Sequence, residues 1–208
     1  MRELKRITPA NDPRSVLRAA IEVFSQHGYD ATSMDDVAEV LAISRPALYY
    51  HVPSKVELLR RALEPILKAL EDITYPTNAR TVSAEDRIIL VVQQVVTIFT
   101  GDLPSASLLL RLRGNTDVER KAIQRRCVWE KELSALMCQV KDEGFIRHGP
   151  DPRLVARLLI GMVYSTVEWY DPADGPTPQK LAREIFRLTF SGLRTPREAA
   201  ALTKPDTP

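Results

Sequence analysis

The chain has 208 residues, 44% hydrophobic and 27% charged, with 29 basic and 27 acidic side chains for a formal net charge of +2. That balance excludes a disordered or strongly acidic chain and leaves apolar material for one ordinary domain or two small ones. It does not mark a nucleic-acid binder, whose domain is often basic as a whole.

The opening stretch, MRELKRITPANDPR, has no apolar run of the kind a secretory leader needs. No segment reaches the roughly 18 apolar residues of a membrane span, since the greasiest, 88–99, is interrupted by Gln93 and Gln94. Cys127 and Cys138 fall eleven apart in what reads as one helix, which separates them by roughly 16 Å, beyond disulfide reach. With three histidines in all, no metal cluster can be assembled. The expectation is a reduced, soluble, cytoplasmic protein with no membrane association, metal or cofactor.

In chain order, residues 13–27 read as a first helix, with Val16, Ala19, Ala20, Val23 and Phe24 on one face and Gly28 as its stop. Ser33 opens a short helix with Asp36 as capping partner, and Ser44 opens another. Ser54 and Glu57 start a long fourth helix, which Pro65 should bend or interrupt. Residues 88–99 are rich in β-branched side chains, yet their length without a turn signal favours a buried helix. A short apolar helix (103–112), a long charged one (117–143), a broadly apolar one (152–170) and a last one started by Thr177 and Pro178 follow. The tail, 194–208, is expected to be flexible. The fold class is all-α, with about nine helices and no convincing strand.

Residues 28–59, GYDATSMDDVAEVLAISRPALYYHVPSKVELL, carry the most information. Two short helices joined by Leu41, Ala42 and Ile43 have the spacing of a helix-turn-helix, whose second helix enters the DNA major groove. Along that second helix Arg45, Pro46, Ala47, Tyr49, Tyr50 and His51 are accessible candidates, while Leu48 and Val52 fit an apolar anchoring face. Arg45 can donate a bidentate fork to guanine, Ala47 can touch a thymine methyl, and tyrosine hydroxyls and Lys55 can hold phosphates. His51 either packs against the start of the fourth helix or touches DNA.

The run Thr32-Ser33, Val37-Ala38, Ser44-Arg45-Pro46-Ala47-Leu48-Tyr49, His51-Val52, Ser54-Lys55 and Glu57-Leu58-Leu59 resembles the TetR family of bacterial transcriptional repressors over about the first 60 residues. The resemblance implies base reading by Arg45, Pro46 and Ala47 and phosphate contacts from Ser33, Tyr49 and Lys55, with Ser44 and Tyr50 beside them. Two features depart from the pattern. Ala42 stands where the family usually has glycine, a mild strain if the turn needs positive φ. Asp35 lies near the DNA side, where a carboxylate repels phosphate unless it caps or pairs.

The resemblance also implies a homodimer formed through the last two helices and an effector pocket in the larger part of the chain. The faces at 152–170 and 178–193 are wide enough for such an interface, and Gly161 and Ser165 permit close approach; an intramolecular core is the alternative. Candidate ligand-binding residues are Phe99, Leu109, Trp129, Met137, Tyr164 and Trp169, although residues of these types are more often core than ligand wall. Glu168 is either a ligand partner or exposed at the rim. Between 111 and 131 there are seven basic and three acidic residues, Arg113 and Arg125 among them. They form either a solvated face or an entrance for an anionic effector. The passages 144–153 and 161–170 are similar to relatives that respond to acyl-CoA thioesters.

The domains expected are a DNA-binding part at 1–60, an effector and dimerisation part at 61–193, and the tail. The function expected is that of a ligand-responsive repressor that binds palindromic double-stranded operator DNA as a dimer and is released by an acyl-CoA or other hydrophobic effector. A helical ligand carrier or adaptor with a degenerate motif is the alternative. A small enzyme fits worst, because no nucleophile elbow, phosphate-cradling loop or HExxH motif occurs. Residues 1–55 carry seven basic and seven acidic side chains, so DNA affinity must come from charge placement and dimerisation.

Overall fold

The computed structural model describes residues 12–73, 82–144, 146 and 150–191. Among them are nine helices and no strand: α1 (Pro13–His27), α2 (Met34–Leu41), α3 (Arg45–His51), α4 (Lys55–Glu71), α5 (Ala84–Gly101), α6 (Leu103–Leu110), α7 (Asp117–Asp142), α8 (Pro152–Trp169) and α9 (Pro178–Ser191). The N-terminal basic side chains Arg2, Lys5 and Arg6, and the tail expected at 194–208, lie outside the described residues.

Local chemistry sets most helix starts. Asp12 accepts the backbone N–H groups of Arg14 and Ser15 at 2.7 and 3.0 Å, with Pro13 in the first turn, so α1 begins where its first donors find a carboxylate. Ser33 and Asp36 cap α2 reciprocally, at 3.2 and 2.7 Å. Those hydrogen bonds from Ser33 hold the Asp36 carboxyl below its ordinary pKa. Thr116 and Glu119 repeat the arrangement at α7, with the Glu119 carboxylate accepting the Thr116 N–H at 2.8 Å from a buried position. Asp151 and Pro152 start α8 in the manner of α1.

Two expectations meet a different outcome or a firmer one. Residues 88–99 are helical: α5 buries Ile88, Val91, Val92, Val95, Val96 and Phe99, and burial outweighs the modest strand preference of its valines. Pro65 does not interrupt α4, which is continuous from Lys55 to Glu71. The buried face of Leu58, Leu59, Ala62, Leu63, Ile66 and Leu67 holds the helix together across it, while Pro65 itself is exposed.

The chain divides into two compact units that do not follow the contiguous split expected from the sequence. The first joins residues 1–69 to 102–126, because α6 packs on α1 beside α2 and α3. The second joins 70–101 to 127–208, where α5 packs on α8 and α9. No single described helix is long and apolar enough to cross a membrane.

The turn after α2 carries the one non-glycine residue with positive φ among the described residues, Ala42 at 53°. Its N–H donates to Glu39 and that of Ile43 donates to Ala38, at 3.0 and 3.1 Å, which closes the helix with left-handed backbone. A Cβ resists that conformation. Ala42→Gly should therefore raise stability by about 0.5–1 kcal/mol, read as a higher urea midpoint at unchanged m-value.

Candidate nucleic-acid interface

Helix α3 has seven residues, too few to persist alone, and its position comes from what it buries. Ser44 stands outside the helix at φ −73° and ψ 152°, and its Oγ accepts the Ala47 N–H at 3.4 Å. Leu48 is fully buried and Val52 nearly so, which docks one side of the helix. The other side shows Arg45, Pro46, Tyr49 and Tyr50 to solvent, with Ala47 and His51 partly exposed. Tyr50 is 89% exposed, an unusual position for an aromatic ring with no external partner.

Arg45 is aimed by two neighbours. Its Nη1 lies 3.1 Å from Asp35 Oδ2, and its guanidinium carbon lies 5.6 Å from the Tyr49 ring centroid. Hydrogen bonding to Tyr49, and then the Asp35 charge, raise its pKa above the ordinary guanidinium value. Asp35, the misfit in the sequence, is thus the counter-ion of Arg45. Both side chains are more than half exposed, so the pair adds little to stability. It orients the guanidinium without committing it.

Lys55 occupies a less open position. Its Nζ lies 4.3 Å from the Tyr29 ring centroid and 3.5 Å from the Asp30 carbonyl oxygen. Burial lowers its pKa, against the opposing charges of Asp30, Asp36 and Glu119. Asp30 in turn accepts the Asn115 amide at 2.6 Å, a tie across 85 residues of sequence. Ser33 caps α2 through its oxygen, which leaves its O–H as the group able to reach a phosphate. The His51 carbonyl accepts Arg61 at 3.2 Å and its ring meets Tyr50 edge-on, so the end of α3 is fastened to α4. Tyr29, Asp30 and Asn115 escaped the sequence reading, since their partners are joined only by folding.

Two family models match the chain: "Bacterial regulatory proteins, tetR family" over residues 16–62 and "Tetracyclin repressor-like, C-terminal domain" over 81–193. The chain belongs to the TetR family. Among solved structures, SCO3833 of Streptomyces coelicolor A3, a TetR transcriptional regulator, is 39% identical with a TM-score of 0.79, covering 86% of this chain and 91% of that one. The HTH-type transcriptional repressor KstR2 of Mycobacterium tuberculosis H37Rv is 24% identical over 86% of this chain and 90% of its own. The fold is also shared with AibR, solved with isovaleryl coenzyme A and operator DNA, at 20% identity and a TM-score of 0.70, covering 86% of this chain and 97% of that one. This TetR-family chain is accordingly a DNA-binding regulator of transcription, and its relatives are regulators rather than enzymes.

The residues expected around the effector are shared between the two units of this TetR-family chain. Leu109, Arg113 and Arg125 belong to the first unit, and Phe99, Trp129, Met137, Tyr164, Glu168 and Trp169 to the second. Leu109 is fully buried, Arg125 makes two contacts to Glu64 at 2.8 and 3.2 Å, and Arg113 is exposed. Arg111 donates to the Ser25 carbonyl at 2.8 Å, Arg126 to that of Leu109 at 3.1 Å, and Arg120 pairs with Asp117. Arg111, Arg120, Arg125 and Arg126 are thus each engaged within the first unit.

In the second unit Phe99 stacks on Tyr164 at 5.2 Å, and the Tyr164 hydroxyl donates to Glu130 at 2.8 Å. Met137 is fully buried. Trp129 closes with Val91, Val95, Leu133 and Val163 on a void of about 10 Å³, room for about one water. Its Nε1 has no hydrogen-bond partner among the described residues. Glu168 and Trp169 lie on the exposed side of the last turn of α8, because Val163 and Thr166 take the inward phase. Asp35→Asn should raise affinity for random-sequence DNA and narrow the ratio of operator to random binding, as measured by competition gel shift, because the variant loses both a repulsive charge and the aim of Arg45.

Proposed function

We propose that the chain is a dimeric repressor of the cytoplasm, which reads a palindromic operator with α3 and is released by a hydrophobic effector of the acyl-CoA class. The observation that carries the DNA reading is the exposed stripe of Arg45, Pro46, Tyr49 and Tyr50 on a helix docked by Leu48. Arg45 and Ala47 read base edges; Ser33, Ser44, Tyr49, Tyr50, His51 and Lys55 hold or adjoin the backbone. In a dimer two such helices sit about one DNA turn apart, so operator symmetry mirrors protein symmetry.

Apolar exposure supports the dimer. Leu154, Leu158 and Trp169 of α8 and Leu188 of α9 are large, apolar and each more than half exposed, with Leu188 at 70%. A Cβ placed on Gly161 would meet nothing, so packing within the chain does not demand glycine there, while a close helix crossing would. Burial of this face against a symmetry mate removes it from water and fixes the spacing of the recognition helices.

For the effector, the aliphatic residues around Trp129 supply the right surface for an acyl chain, and an unpartnered indole N–H suits a ligand carbonyl. The void of about 10 Å³ is far too small for such a chain, so binding must open the core. An opened form favoured by the ligand, with a different recognition-helix spacing, lowers DNA affinity by population shift. Pro65, inside α4, is where such motion is directed.

Gel shift on the promoter nearest its own gene tests the central reading. Arg45→Ala should cost about 1–3 kcal/mol at one operator position and relax its base preference, whereas Lys55→Ala should weaken all sequences alike and reduce the salt slope by about 1. If neither substitution has its expected effect, the placement of α3 is overturned. Leu158→Glu should convert dimer to monomer in sedimentation and abolish operator binding. Thermal stabilisation by at least one acyl-CoA, with operator release, is the expected outcome of an effector screen.

A further inference from the structure

A groove of about 780 Å³ runs between α7 and α8 in the second unit, lined by Lys131, Ser134 and Cys138 on one side and by Arg153, Leu154 and Arg157 on the other. It continues into a second hollow of about 340 Å³ that shares Lys131, Ser134 and Arg157 and adds Ile160, Gly161 and Tyr164. The trench is distinct from the closed void at Trp129 and from the arginines of the first unit.

Three cations line it against Asp151 and, in the second hollow, Glu130. Arg153 and Arg157 are four apart on α8, so their guanidinium groups share a face and repel. Lys131 comes from the opposite wall, and none of the three has an ion-pair partner among the described residues. The carboxylates that line the trench are occupied. Asp151 accepts the Arg153 N–H at 3.0 Å as the cap of α8, and Glu130 accepts the Tyr164 hydroxyl at 2.8 Å. In the first unit Arg111, Arg125 and Arg126 are met by acids or carbonyls; in the trench three cations have no ion-pair partner among the described residues. Ser134 adds a hydroxyl between them, although its O–H donates to the Glu130 carbonyl at 3.0 Å. Ile160 and the Tyr164 ring give the trench an apolar stretch, while Leu154 and Gly161 stand at its edge, beside the proposed dimer face.

We propose that this trench binds a phosphorylated small molecule, with its phosphate oxygens on Lys131, Arg153 and Arg157 and its less polar part laid toward Ile160 and Tyr164. Two guanidinium forks and an ammonium match a ligand with two or more phosphate charges better than a single carboxylate. The same chemistry is carried by the headgroup of a coenzyme A thioester and by a free nucleotide or pyrophosphate. The inference rests on the acyl-CoA reading only if the ligand is the former.

Isothermal titration calorimetry on the full chain, with coenzyme A, octanoyl-CoA, ADP and inorganic pyrophosphate as separate probes, tests it. At least one probe should bind, and the double variant K131E/R157E should weaken it by about tenfold or more, while Arg157→Lys stays within about threefold. Binding should also weaken as salt rises. Binding of ADP and pyrophosphate as well as coenzyme A identifies free phosphates as ligands; binding of the coenzyme A compounds alone identifies the thioester headgroup. A circular-dichroism melt establishes that the double variant folds, and Arg153→Gln, with a smaller expected loss of about threefold, replaces it if it does not. The proposal is overturned if no probe saturates below about 1 mM, or if the charge variants bind as the wild type does. Octanoyl-CoA that binds the trench but leaves operator affinity unchanged sinks the effector reading and leaves this one standing.

Discussion

The docking of α3 through Leu48 is the contact on which the DNA-binding unit depends. A seven-residue helix cannot pay its own nucleation cost, so it exists because a fully buried leucine and a nearly buried valine hold it against its neighbours. The same contact fixes its rotation. Once Leu48 points inward, helical geometry sends Arg45, Pro46, Tyr49 and Tyr50 outward, and no further instruction is needed to present them. The left-handed turn at Ala42 serves this docking by reversing the chain in the fewest residues.

Charge around that helix is arranged locally rather than accumulated. Asp35 pairs with Arg45, Asp36 caps α2, and Asp30 accepts the amide of Asn115. Acidic residues that cancel the net charge of the first 55 positions therefore have defined partners. That shows how a DNA-binding unit can be neutral overall: Asp30, Asp35 and Asp36 each have a local partner, and the exposed cation on α3 is oriented by one of them. Contacts of this kind confer direction more than stability, since the exposed ones contribute little against water and salt.

The two units differ in how their arginines are used. In the first, Arg111, Arg125 and Arg126 bind carbonyls or Glu64 and serve as internal struts. In the second, Arg87 is buried and reaches Gln139 and Glu143 at 2.8 and 3.3 Å, while Lys131, Arg153 and Arg157 line an open trench. Composition alone treats all of these as equal positive charges. Position along the helix decides which become struts and which face solvent.

The sequence by itself determined the helices and the motif. Caps such as Asp12, Ser33 with Asp36, and Asp151 with Pro152 act over three or four residues, and the apolar period of α1 or α8 is written directly in the chain. The recognition helix was legible for the same reason, as were the strain at Ala42 and the oddity of Asp35. Tertiary structure alone decided the rest. That α6 packs on α1, that Asp35 meets Arg45, that Lys55 lies over Tyr29, and that the aliphatic residues around Trp129 close rather than open all depend on groups distant in sequence. Local rules fix what a segment becomes, because its hydrogen bonds close within a turn. Only the folded chain can say what its side chains meet, because burial and charge pairing are settled between segments.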